Sequence, residues 1–89
     1  MKFEDINFLK DSEGGVRGRV FFKNGYGISV VCNKYSYGNE KGLYEIAVLN
    51  LDGTICYDSS VTQDVVGWLT QVQVQDFINQ IENLPSKLN

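Results

Sequence analysis

Across residues 70 to 85 the chain reads TQVQVQDFINQIENLP, and Val74, Phe77, Ile78, Ile81 and Leu84 recur at the i, i+3, i+4, i+7 spacing of one helical face. The spacing predicts an amphipathic helix with both ends legible. Thr70 can accept from the free amide of Gln73 while the Gln73 side chain reaches back to the Thr70 amide, a capping box flanked by Leu69 and Val74 as a hydrophobic staple. Pro85 stops the run because it has no amide proton for the ladder. The opposite face carries Gln75, Asp76, Asn79 and Glu82, left to solvent or to a partner.

Upstream of residue 70 the pattern turns β-rich. Residues 16 to 23 and 26 to 33 flank Asn24-Gly25, the dipeptide that best tolerates the positive φ angles of a type I′ hairpin turn. A two-residue turn sets Lys23 opposite Tyr26, Phe21 opposite Ile28, Arg19 opposite Val30 and Arg17 opposite Cys32. One face then holds Arg17, Arg19, Phe21, Ile28, Val30 and Cys32, and the other holds Val20, Phe22, Ser29 and Val31 with Gly18 and Gly27. Both faces carry bulky apolar groups, so this register implies a sheet covered by the helix on one side and by a terminal strand, a loop or a partner on the other.

Further strands are expected at residues 2 to 8, with Phe3 and either Ile6 or Phe8 inward, at 43 to 50, and at 55 to 58. Residues 10 to 15 read as a loop, and the polar stretch 33 to 42 as a longer exposed connection. Residues 50 to 54, NLDGT, form a turn with Gly53 at a left-handed position, a site for a β-bulge. A bulged and a two-residue turn give opposite faces to Ile55 and Cys56, and both readings stand. In the link from 59 to 70, Thr62 can cap a single helical turn through Gln63, Asp64, Val65 and Val66, with Gly67 as the exit. The sum is an α+β domain: an antiparallel β-meander of four to five strands with one C-terminal helix packed on a sheet face.

Composition narrows the chemistry more than the fold. Eighty-nine residues with 43% hydrophobic and 21% charged side chains suit a single globular domain, residues 1 to 89. The chain has no histidine, which removes the usual proton shuttle and transition-metal ligand and excludes triads, Cys-His dyads and His-based zinc sites. Cys32 and Cys56 lie far apart and form no C-x-x-C spacing; free thiols and a single disulfide are the two readings. No D-x-D-x-D-G array or phosphate-binding glycine motif occurs, so no catalytic residue, metal or cofactor is expected and the protein reads as non-enzymatic. No stretch has the roughly 18 apolar residues of a membrane span, and MKFEDINFLKD is too acidic for a signal peptide, which points to the cytoplasm.

Charge distribution adds candidates. The net charge of -3 divides into +2 over residues 1 to 41 and -5 over residues 42 to 89, which argues against broad nucleic-acid binding. The acidic half, with Asp64, Asp76 and Glu82 beside Glu45, Asp52 and Asp58, reads either as a solvated face or as a surface that docks onto a basic groove, such as that of a nucleic-acid-binding enzyme. Tyr26, Tyr35 and Tyr37, at a turn and in the long loop, suit a protein interface unless they fold back over the sheet edge. Trp68 is either a core anchor or a binding hot spot. Arg17, Arg19 and Lys23, with Phe21 among them, could contact an anion or nucleic acid, or simply guard a strand against aggregation.

The segments NGYGISVV, GLYEIAVL, DGTICYDSSVTQDVVGWLT and FINQIENLP resemble a class of small reading frames of tailed bacteriophages and prophages. The resemblance spans most of the chain and carries no functional residues over. It implies a phage-encoded protein acting in the host cytoplasm, in a group that includes anti-CRISPR proteins and other inhibitors of host defence. The expectation is a small acidic binding protein that inhibits or modulates a host protein. A self-assembling structural subunit and a small nucleic-acid-binding sheet are the alternatives.

Overall fold

Turn chemistry sets the register of the sheet. In the computed structural model, which describes residues 1–12 and 14–87, Phe22 donates its amide to Tyr26 O at 2.7 Å and Gly25 donates to Phe22 O at 3.3 Å. Lys23, Asn24 and Gly25 therefore separate the paired positions, and among them only Gly25 has a positive φ, 89°. This is a three-residue hairpin loop with a left-handed glycine; the expected type I′ turn would need positive φ at both central residues.

The expected pairing is corrected by one residue. Strands β2 (Val16–Phe21) and β3 (Gly27–Cys32) pair Phe21 with Gly27, Arg19 with Ser29 and Arg17 with Val31. A one-residue slip exchanges the faces of one strand relative to the other, and here it sorts them. Val16, Gly18 and Val20 now share a face with Ile28, Val30 and Cys32, while Arg17, Arg19 and Phe21 share the other with Ser29 and Val31. Strand β4 (Tyr44–Leu49) continues both sets, pairing Val48 with Ile28 and Ile46 with Val30 on the first face, and Ala47 with Ser29 and Glu45 with Val31 on the second.

Three other expectations change. Residues 2 to 8 do not form a strand: Phe3–Asp5 is a 3-10 turn, and only Leu9–Lys10 (β1) reaches the sheet, pairing Leu9 with Arg17. The reason is core burial, since Ile6 and Phe8 leave the sheet edge to lie over Gly18 while Phe3, Phe8 and Tyr44 stack with ring centroids 5.3 to 6.0 Å apart. Glu13, within the expected 10 to 15 loop, lies outside the described residues. Residues 55 to 58 make one bridge, Leu49 with Ile55, and then depart. Here Asn50 donates to Thr54 O at 2.8 Å with Gly53 at φ 86°, the bulged form of the turn, which turns Ile55 to the second face and buries Cys56 in the core.

The last strand is the third change. The expected helical turn at 62 to 66 is absent; Thr62 instead makes a local turn by accepting the Asp64 amide at 3.3 Å, and Val66–Leu69 forms β5 against β4. The five strands lie in the order β1-β2-β3-β4-β5, all antiparallel.

Helix α1 (Gln71–Glu82) follows the sequence pattern closely. Gln73 N donates to Thr70 Oγ1 at 3.3 Å and Thr70 N to Gln73 Oε1 at 2.9 Å, the reciprocal bonds of the capping box. Val74, Ile78 and Ile81 are fully buried against Ile28, Val30, Ile46 and Val48, each such side chain contributing about 1.5–3 kcal/mol of apolar burial. The helix therefore covers the first face, and the second face lies away from it.

Candidate functional site

Two surfaces emerge from this arrangement, one at the β5 edge of the sheet and one on the sheet face turned away from α1 near β2. The first is built on an irregularity in β5. Tyr44 pairs with Leu69 and Ile46 with Val66, so Gly67 and Trp68 together oppose Glu45, a β-bulge. Trp68 takes φ 62°, the one non-glycine residue with positive φ among the described residues. A bulky side chain pays roughly 1–3 kcal/mol for that conformation, and such outliers concentrate at functional positions. The bulge leaves the indole 50% exposed.

Local contacts hold the strained residue in place. Trp68 N donates to Tyr37 O at 3.1 Å, and Gly67 has no room for a side chain because a Cβ there would collide with Tyr37 Cβ. The Tyr37 ring remains 60% exposed, and Lys41 Nζ sits 5.9 Å from the Trp68 ring centroid, within cation–π range. Behind them Glu45 is half-buried and accepts from the Tyr37 backbone amide; burial pushes its carboxyl pKa up, the Tyr37 bond opposes this, and the nearby Asp64 charge adds to the rise. Tyr37 and Trp68, distant in sequence, thus meet, with Asp64 at the margin.

The other candidates are dispersed. Tyr35 is 71% exposed in the same loop as Tyr37, with Lys34 Nζ 5.2 Å from its ring. Tyr26 is half-buried at the hairpin turn under Lys87 Nζ, 4.6 Å from its ring centroid. Asp76 is exposed on α1. Glu82 and Gln75, read as free for a partner, are engaged by the start of the chain: the Met1 amine contacts Glu82 at 2.6 Å, and Gln75 accepts the Phe3 amide at 2.6 Å and donates to Met1 O at 2.8 Å. Carboxylates elsewhere serve their own turns. Asp64 accepts the Val65 amide at 2.7 Å, Asp52 accepts from the Thr54 hydroxyl at 2.7 Å, and Asp58 accepts the Cys56 thiol at 3.0 Å, which holds the Asp58 pKa below its ordinary value.

The second surface is the face turned away from α1. Arg17, Arg19 and Phe21 project from it, Phe21 46% exposed, and Arg19 overlies small residues in a shallow cavity of about 230 Å³ floored by Ser29, Val31, Ala47 and Ile55. Lys23 is exposed in the adjoining turn, and none of these three cations forms an ion pair among the described residues. Cys32 and Cys56 are free thiols. Among the described residues, no group of three or more Cys, Asp or Glu side chains is placed to hold a metal ion, and no helix is long and apolar enough to cross a membrane.

Sequence reasoning missed Lys41 and the role of Gly67, and it named Glu45 only as part of the acidic half. The readable signal was the run VVGWL at 65 to 69, whose apolar, β-prone composition fits a strand better than an exit from a helical turn. No protein-family model, curated protein or solved structure matches the chain.

Proposed function

We propose that the protein is a non-enzymatic binding module that docks on a partner protein through Trp68 and Tyr37, with Lys41 and Tyr35 at the rim. The observation that carries this reading is the half-exposed indole of Trp68 in left-handed backbone. A tryptophan used for the core would be buried, and one on a neutral surface would not be kept in a conformation costing roughly 1–3 kcal/mol. Tryptophan and tyrosine are the side chains that most often dominate binding energy at interfaces. A host protein as the partner, and inhibition of host defence as the outcome, follow from the phage resemblance and belong to the same proposal.

The test compares wild type with Trp68→Ala and Tyr37→Ala as cross-linking baits in lysate of the bacterial host. One or more host proteins should be cross-linked by wild type and lost at least tenfold with Trp68→Ala, while the circular dichroism of the two proteins stays the same. Equal cross-linking by wild type and the two variants would sink the reading.

A further inference from the structure

The outer edge of β2 is open where the sequence would place a pairing strand. Phe22 and Tyr26 are a hydrogen-bonded pair, and in an antiparallel ladder such pairs recur every second residue. Val20, Gly18 and Val16 therefore direct their backbone groups at Ile28, Val30 and Cys32 of β3, and Arg17, Arg19 and Phe21 direct theirs outward. β1 reaches Arg17 through Leu9 and goes no further, because the preceding residues turn away to cover the core. Arg19 and Phe21 are left with outward N–H and C=O groups that have no backbone partner among the described residues. Concavities of about 410 Å³ (Asn7, Leu9, Arg17, Arg19) and about 570 Å³ (Met1, Val20, Phe22, Glu82) flank this stretch.

We infer that this edge accepts an extended peptide strand, acidic on the sheet face that carries Arg17 and Arg19 and apolar on the face that carries Val20 and Phe22. The backbone groups of Arg19 and Phe21 supply the strand-addition bonds, and alternation of side chains supplies the selectivity. Among the described residues Arg17, Arg19 and Lys23 form no ion pair, and an acidic strand would supply their counter-charge. On the other side, Met1, Val20 and Phe22 present apolar surface, and Glu82 is already held by the Met1 amine. A second copy of the same edge is disfavoured. Every antiparallel self-pairing that uses both Arg19 and Phe21 sets cation against cation: Arg19 on Arg19, Arg17 on Lys23, or Arg19 on Lys23. Single-stranded nucleic acid would stack on exposed Phe21 but would leave the outward amide pairs of Arg19 and Phe21 unused. The edge lies across the sheet from Trp68, so the inference stands or falls independently of that patch.

The experiment titrates isotope-labelled protein with the palindromic peptide acetyl-Glu-Val-Tyr-Val-Glu-amide, which offers the same pattern in either strand direction. The Arg19 and Phe21 amides should shift and become protected from solvent exchange, and the Lys-Val-Tyr-Val-Lys peptide should leave them unchanged. Phe21→Pro removes one outward amide without touching the bonds to β3, so it should bind the acidic peptide about two- to tenfold more weakly than Phe21→Ala. A peptide N-methylated at Tyr makes the same test from the ligand side if Phe21→Pro fails to fold. Unmoved Arg19 and Phe21 amides at low millimolar peptide, equal response to the lysine peptide, or equal affinity for the methylated and unmethylated peptides would overturn the inference. So would protection of the same amides in the protein alone at high concentration, which would assign the edge to a second copy, or a stronger response to an oligothymidylate, which would assign it to nucleic acid.

Discussion

Asn24 should be the polar side chain on which the fold depends most. Its Nδ2 donates to Ile81 O at 2.8 Å, with Leu84 O at 3.2 Å and Glu82 O at 3.3 Å, and its Oδ1 accepts the Tyr26 amide at 3.2 Å. Helix α1 is capped by Asn83 at φ -90°, without the left-handed glycine that commonly satisfies the last carbonyls. The hairpin loop supplies those donors instead. An amide has two protons, so Asn24→Ala removes about two net hydrogen bonds to part-buried carbonyls plus the turn contact. At roughly 0.5–1.5 kcal/mol each, the loss should be about 2–3 kcal/mol. For a domain of this length that lowers Tm by about 10–20 °C. Asn24→Asp keeps an acceptor for the Tyr26 amide but loses both donors and sets a carboxylate against the negative end of the helix, so it should also be less stable than wild type at neutral pH. It should regain stability as pH falls through the carboxylate range. Urea unfolding followed by circular dichroism measures all three proteins. An Asn24→Ala variant within about 0.5 kcal/mol of wild type, or an Asn24→Asp variant as stable as wild type at neutral pH, would refute this account of how the hairpin and the helix are joined.

Replacing Trp68 by glycine should give a protein more stable than replacing it by alanine, by about 1 kcal/mol, the reverse of the usual order, because alanine keeps the Cβ clash at φ 62°; equal unfolding midpoints would argue against strain at the bulge. Glu45→Gln should raise Tm at neutral pH. Burial raises the Glu45 pKa above its unfolded value, so the folded carboxyl binds its proton more tightly and stability falls as pH rises through that interval; the advantage of glutamine should shrink toward about pH 4, and a constant difference would contradict the assignment. Cys56 is 2% exposed and its thiol pKa is pushed up by burial and by its bond to Asp58, so a maleimide should label half-buried Cys32 first in the native protein and both thiols after denaturation without reductant. Uptake of fewer than two labels in the denatured protein would indicate a disulfide.

What was legible in the sequence was local. The capping box at Thr70 and Gln73 and the stripe from Val74 to Ile81 are set by residues a turn or two apart, and they appear in the structure as read. The hairpin register was not legible, because Asn24-Gly25 serves two kinds of turn and the choice goes with Asn24 bonding Ile81 and Leu84, 57 and 60 residues away. β5 was obscured in the same way. Thr62 and Gly67 carry the local signals of a short helical turn, but pairing with β4 wins, and Trp68, bulged out of that pairing at φ 62°, records the conflict.

The register decides what the surface can do. With the expected pairing, Arg17, Arg19 and Phe21 would share a face with Ile28 and Val30, and the helix would cover them. Shifted by one, they stand on the uncovered face beside an unpaired edge. Charge counting pointed the other way, to the acidic half, yet most of its carboxylates are used at home: Asp52, Asp58 and Asp64 close their own turns, and Glu82 holds the Met1 amine. A carboxylate already accepting a hydrogen bond has less to gain from a partner than a guanidinium that forms no ion pair among the described residues. The smaller, cationic set is therefore the better-prepared recognition surface, even on a protein whose net charge is -3.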